Sequence, residues 1–214
     1  MAKWKSHGQI GKQSKKLYMD NKLKLIADTF GKEKFKFDEL VADHTALKLG
    51  GPAKLFFVAV TSRELARIVS EARNLKIPFL IFGTGSKMIV SDHGFNGLVI
   101  KNRTKNMAVV GVKGKVSKQG IGVEEALVEV DSGVGVITLA QFLDQQNLST
   151  IDLIGLTGSV GGCLFINANL QKKCKNIKVI LQDGDVEEIE GSELSLGKHI
   201  ILSAIFKFKA KNQI

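Results

Sequence analysis

An apolar run, a capped helix and a second apolar run follow one another directly, and this succession restricts the fold more than any other feature. Leu55–Val60 is a strand-like apolar stretch. Thr61-Ser62-Arg63-Glu64 then sets a hydroxyl at a helix N-cap and a carboxylate three residues on, the reciprocal pattern of a capping box. Leu65, Ile68, Val69, Ala72 and Leu75 fall on one helical stripe. Ile77-Pro78 ends the helix, and Phe79–Phe82 reads as a short buried strand. Strand, helix and strand in that order predict a parallel pair, because parallel neighbours need a long crossover.

Elsewhere the pattern changes. Leu17–Phe30 has helical spacing at Leu23, Ile26, Ala27 and Phe30, with Gly31 as its stop. His44–Val60 reads as two strands around Gly50-Gly51-Pro52. In the second half, Leu98–Ile100, Val109–Val112 and Ala126–Val130 read as short strands around a Lys/Gly loop, Lys113–Gly122. Thr138–Gln146 is a helix, Val179–Ile189 a hairpin turning at Asp183-Gly184, and Ile200–Phe208 a closing strand. The expected class is α+β, with a small parallel lobe at about 17–100 and a mostly antiparallel lobe at about 101–210 sharing a cleft. Residues 1–16 are expected to be a basic, poorly ordered tail.

At 214 residues the chain can build one sizeable core or two fused lobes. No apolar run is long enough to span a bilayer, and Lys3 and Lys5 are followed by no apolar signal region. The expected location is therefore cytoplasmic. Cys163 and Cys174 make no disulfide framework. The four histidines stand far apart without ligand spacing, so no metal site is expected. The formal charge is +10, and residues 1–24 carry seven lysines against Asp20 alone. A second acid-free basic stretch runs from Lys101 to Lys118. Such charge either attracts anions or simply solvates a tail and a loop. No nucleic-acid signature accompanies it, so nucleic acid is disfavoured as a partner.

Two loops stand out chemically. Gly83-Thr84-Gly85-Ser86-Lys87 follows the buried strand directly. Thr157-Gly158-Ser159-Val160-Gly161-Gly162 precedes an expected helix, Cys163–Ala168. Glycines let amides approach an anion, hydroxyls add donors, and a helix start adds positive potential. Together the loops could grip a pyrophosphate, although neither is a P-loop or a Rossmann fingerprint. The competing explanation is a pair of tight turns between packed elements.

Four segments between about Asp43 and Lys209 resemble the UDP-N-acetylenolpyruvoylglucosamine reductase (UDP-N-acetylmuramate dehydrogenase) family. They are His44–Ala53, Ile77–Val90, Leu156–Ala168 and Ile201–Phe206. The resemblance implies the two-lobed FAD-binding fold of p-cresol methylhydroxylase type. It implies FAD held by Gly83, Thr84, Gly85, Ser86 and Lys87 at the pyrophosphate, and by Thr157, Gly158, Ser159, Gly161 and Gly162 along the flavin. It implies NADPH as hydride donor and a UDP-sugar substrate on the route to peptidoglycan. The departures are as specific. The Gly-Ser-x-Phe-x-Asn-Pro motif carrying the family's protonating serine does not occur, and its substrate domain is expected to be absent. Leu196-Gly197-Lys198-His199 stands where the family has a Tyr-Arg segment, and Lys87 stands in place of an Asn. No catalytic residue is assigned. The expectation is a flavoprotein half that needs a completing domain or chain to reduce a UDP-sugar. The alternatives are a non-catalytic flavin- or nucleotide-binding relative kept for binding or assembly, and a basic protein binding nucleic acid or a membrane surface.

Overall fold

The structure is a computed structural model that describes the backbone of residues 7–117 and 120–211, with side chains over 19–114 and 122–211. A first helix, α1 (His7–Phe30), leads into strand β1 (Phe35–Leu40). After a 3-10 turn at Val41–His44 come β2 (Pro52–Ala59), α2 (Ser62–Asn74), β3 (Phe79–Phe82) and β4 (Phe95–Asn102). The second half runs β5 (Met107–Ser117), β6 (Gly120–Asp131), α3 (Val136–Gln145), α4 (Val160–Ile166) and α5 (Ala168–Lys173). It ends with β7 (Cys174–Ile180), β8 (Val186–Ile189) and β9 (Ile200–Lys209).

The first sheet has the order β1-β2-β4-β3, and β2 and β3 both run parallel to β4. The expected parallel direction is thus observed, but β2 and β3 are not neighbours, because β4 inserts between them. The second sheet, β5-β6-β9-β7-β8, is antiparallel throughout. The architecture is the expected α+β, with the parallel sheet first.

Three local expectations change. His44–Leu49 is not a strand: Lys48 at φ 54° and Gly50 at φ 126° put the chain in the left-handed region, which breaks an extended run. The partner of β2 is instead β1, antiparallel, with Phe35 opposite Phe57 and Phe37 opposite Leu55. It escapes a sequence reading because an edge strand buries little; in Phe-Lys-Phe-Asp-Glu-Leu only Phe35 is buried. The Lys113–Gly122 loop is largely ladder, since β5 and β6 pair from Met107↔Val130 to Ser117↔Gly120, and residues 118–119 lie outside the described ones. The helix expected at Leu17 begins at His7; of the expected tail, residues 1–6 lie outside the described residues.

α2 shows how sequence, packing and position connect. Leu65, Ile68, Val69 and Ala72 are fully buried. They pack with Leu23, Ile26 and Ala27 of α1, Leu55, Phe57 and Ile100 of the first sheet, and Ile180 and Leu202 of the second. The second sheet's main core lies under α3 and α4, around Val128, Val130, Leu139, Leu143, Leu164 and Phe206. Each large buried side chain contributes about 1.5–3 kcal/mol. The α2 cap contributes about 1 kcal/mol. Burial therefore decides that α2 forms, and the cap decides where it starts. The Glu64 amide donates to Thr61 Oγ1 at 3.1 Å as expected, but the Glu64 carboxylate accepts from the Val60 amide at 3.1 Å, one residue before the N-cap, so the capping box is not the reciprocal pair expected. Thr61→Ala is expected to lower unfolding stability by about 1 kcal/mol, read as a reduced urea midpoint at unchanged slope.

Candidate functional site

β3 is an edge strand, so its C-terminal end opens to one side, and Gly83–Lys87 turns away from it. The loop is tied down at Gly85, whose carbonyl accepts from the Ala46 amide at 3.1 Å. Gly85 sits at φ +70°, and a Cβ there would lie 2.5 Å from the His44 carbonyl oxygen, so only glycine fits. Among the described residues, the amides of Thr84, Gly85, Ser86 and Lys87 donate to no backbone carbonyl. The Thr84 and Ser86 hydroxyls lie 3.1 Å apart, and Lys87 is exposed. Consecutive free amides with two hydroxyls and a lysine form a concave set of donors suited to an anion.

The second loop meets the first. A Cβ on Gly83 would stand 2.3 Å from Ser159 Oγ, and a Cβ on Gly158 would stand 3.0 Å from Ser86 Oγ. Ser159 caps α4 by accepting from the Gly162 amide at 3.4 Å. The Val160 and Gly161 amides donate to Val134 (2.8 Å) and Ser132 (2.9 Å), and the Gly158 carbonyl accepts from the Val136 amide (3.0 Å). The start of α4 from Val160 on has therefore spent its donors on the fold. Among the described residues the amides of Thr157, Gly158 and Ser159, just before it, donate to no backbone carbonyl, and Gly162 is exposed. The structure brings all ten expected residues into one region, with free amides on both loops.

Two adjoining cavities follow the loops. One of about 260 Å³ runs along Leu80–Met88 and Thr157–Ser159. The other, about 450 Å³, lies behind β3 against Phe79, Phe82, Phe165, Leu196, His199 and Ile201, and shares Gly83, Ser159 and Gly162 with the first. Arg73 lines it too; its guanidinium donates to the Leu181 carbonyl, and burial lowers its pKa against the upward pull of Asp183. Sequence reasoning missed Arg73 as a site neighbour, whereas Leu196–His199 is the stretch that matches the family's Tyr-Arg segment. Arg73 reaches Leu181 across 108 residues, and no local spacing signals such a contact. The cysteines are not nucleophiles: Cys163 donates to the Thr157 carbonyl at 3.2 Å and burial raises its pKa, while burial pushes Cys174 up to about 12. Among the described residues no group of three or more potential ligands could hold a metal. No helix among them is long and apolar enough to cross a membrane.

A family described as FAD binding domain matches residues 53–190. The chain belongs to that family. It is similar to the UDP-N-acetylenolpyruvoylglucosamine reductases. One such reductase, from Clostridium botulinum, is 31% identical over 188 residues, covering 85% of this chain and 56% of the relative. One from Clostridium tetani is 26% identical over 197 residues, 85% of this chain and 60% of the relative. The chain thus spans a little over half the length of these relatives. The crystal structure of p-cresol methylhydroxylase with substrate bound aligns over 98% of this chain and 45% of its own, at TM-score 0.56 and 16% identity. That likeness concerns the fold, which is the two-lobed type expected.

The residues present fit FAD. A cradle of free amides abuts the second glycine loop, and the adjoining cleft is lined by aromatic and aliphatic side chains. Gly83→Ala is expected to force Ser159 aside and cost about 1–3 kcal/mol. Gly83→Ala/Ser159→Gly is expected to recover most of that, since glycine at an N-cap costs only a few tenths. Thermal midpoints of the three proteins check it; an unrecovered double variant would mean the strain lies elsewhere.

Proposed function

We propose that this chain holds FAD across the two loops, with the pyrophosphate on Gly83–Lys87 and the flavin against Thr157–Gly162. It would serve a hydride transfer of the kind its reductase relatives are named for. The observation that carries this reading is the set of free amides at Thr84–Lys87 facing a cavity shared with the second glycine loop. When bound, FAD supplies a ring that can accept a hydride, here from NADPH, and pass it on. This chain's own residues would do the holding. Thr84 and Ser86 orient the phosphates, Lys87 adds a positive charge, and Phe82 and Phe165 help keep water from the cleft. Lys87 lies close enough to Cys163 to oppose the upward push of burial on that thiol, which puts its charge beside the second loop.

Reduction of an enolpyruvyl sugar nucleotide also requires a proton donor at carbon. The serine motif that the resemblance would supply is not in this sequence, and Lys198-His199 occupies the Tyr-Arg position. We therefore read these residues as the flavin-holding part of a reductase, with proton delivery and sugar-nucleotide binding coming from a further domain or chain. Ile89, Ile166 and Leu196 support this, since they are 73%, 64% and 79% exposed, the first two next to the cavity-lining Met88 and Phe165 and the third lining a cavity itself. A covering partner would bury them. The second reading, a relative that binds the cofactor without turning over the sugar, is favoured by the same replaced segment.

Flavin fluorescence titration tests the cofactor reading, with binding expected well below millimolar and failure to bind below about 1 mM overturning it. Lys87→Ala is expected to weaken FAD about tenfold and flatten its salt dependence. With FAD-loaded protein, NADPH oxidation dependent on the enolpyruvyl substrate is expected to fall about 10²–10⁴-fold short of a complete enzyme. Turnover near about 10 per second would show that the group thought missing is already here.

A further inference from the structure

A separate cavity of about 260 Å³ opens beside the first loop and shares only Gly83 and Thr84 with the cavity along it. One wall is the β4–β5 connection, carrying Lys101, Arg103 and Lys105; the other is Gly133–Gly135 with the Thr138 hydroxyl in the first turn of α3. Lys48 stands near enough to Lys101 to repel its charge, as does Arg103. Among the described residues no carboxylate pairs with any of these four cations.

Lys101 is held in place from behind. Its ammonium donates to His44 Nδ1 at 3.4 Å and lies 5.9 Å from the Phe82 ring centre. The His44 ring stacks on Phe56 at 4.3 Å and donates from Nε2 to Glu39 at 2.9 Å. Glu39 also accepts from Lys36 at 2.7 Å, so its charge is shared before it reaches Lys101. With His44 donating through Nε2, its Nδ1 is an acceptor, and this arrangement suits a charged Lys101. Burial disfavours that charge, and Arg103 and Lys48 oppose it further. A partly buried lysine with exposed cations beside it and no counter-charge is unfavourable alone and is relieved by an anion.

We propose that this cavity is a phosphate-binding site separate from the flavin cradle, taking the phosphate or diphosphate group of a second nucleotide. The assignment rests on the reading that FAD occupies the two glycine loops. Lys101 and Arg103 supply charge-assisted hydrogen bonds, Thr138 supplies a hydroxyl donor, and the His44–Glu39 pair positions Lys101. The shared Thr84 puts the second nucleotide's phosphate next to the cofactor's, which suits a hydride donor or acceptor that must lie against the same ring.

The test is calorimetric titration of inorganic pyrophosphate into the FAD-loaded and the FAD-free protein at low salt. Binding is expected in both, weakened about tenfold by Lys101→Gln and by Arg103→Gln, and unchanged by the exposed control Lys24→Gln. Arg103 is exposed and holds the fold through its backbone amide on the Ala59 carbonyl, so Arg103→Gln keeps the test valid if Lys101→Gln unfolds. FAD affinity, followed separately by fluorescence, is expected to be unaffected by Arg103→Gln. No pyrophosphate binding to the FAD-loaded protein, equal weakening by Lys24→Gln, or displacement by FAD of the pyrophosphate that depends on Lys101 and Arg103 would each overturn the proposal. The last would make the cavity part of the cofactor cradle and leave the cofactor reading standing. Failure of FAD to bind, with pyrophosphate still held by Lys101 and Arg103, would overturn the cofactor reading and leave the phosphate site.

Discussion

A small buried polar network joins the two sheets, and the cleft between them depends on it. Asn102 ends β4, Thr104 starts the connection to β5, and Ser132 follows β6; they are 6%, 1% and 3% exposed. Asn102 Nδ2 donates to Ser132 Oγ at 2.8 Å, and Ser132 Oγ donates to the Ile201 carbonyl at 2.6 Å. The Thr104 amide donates to Asn102 Oδ1, and the Gly133 amide to Thr104 Oγ1, both at 3.1 Å. Removing one member would strand a partner away from water at about 1–3 kcal/mol. The network also explains Gly133, where a Cβ would stand 2.6 Å from Asn102 Oδ1. Ser62 Oγ, donating to Asp131 at 2.8 Å, adds a tie from the α2 side. With three distant chain segments pinned at one junction, the angle between the sheets is set before any ligand arrives.

That fixed angle gives the two glycine loops different tasks. Ser132 accepts from Gly161 and Val134 from Val160, so anchoring α4 to the junction consumes the amides that a helix start would otherwise offer an anion. The loop after β3 has no such duty beyond Gly85 holding Ala46, and its amides stay available. On the proposed reading, a ligand with a charged middle would meet free amides on both loops, while the helix start from Val160 on is already committed to the junction.

The sequence made visible what depends on local periodicity or on a recognisable segment. α2 was legible because its cap and stripe are both local, and β3 because four apolar residues end at a glycine loop. β9 was legible by alternation. The elements that were not legible depend on contacts far along the chain. β1 carries three charges among six residues and exists because β2 accepts it as an edge. β4 slips between β2 and β3 for reasons of sheet twist and helix packing that no window of sequence contains. The ten loop residues could be named in advance, but not which of their amides are spent on the fold, because that depends on Ser132 and Val134. Lys101 was read only as part of a basic stretch; its meaning comes from His44, 57 residues earlier.

Charge is where local and non-local readings part most clearly. By count the basic excess lies in the N-terminal stretch, which invites a polyanion or an acidic membrane as partner. Around the cleft the cations are fewer but better placed. Lys101 is drawn under the first loop by a histidine that is itself fixed by Glu39 and Phe56. Exposed lysines attract any polyanion weakly and are screened within about 8–10 Å at ordinary salt. Cations held beside a cavity of about 260 Å³ are screened less and admit only what fits. A duplex or a bilayer surface does not enter such a space, whereas a phosphate ester does. Position therefore counts beside number, and on the proposed reading this cavity would suit a small phosphorylated ligand.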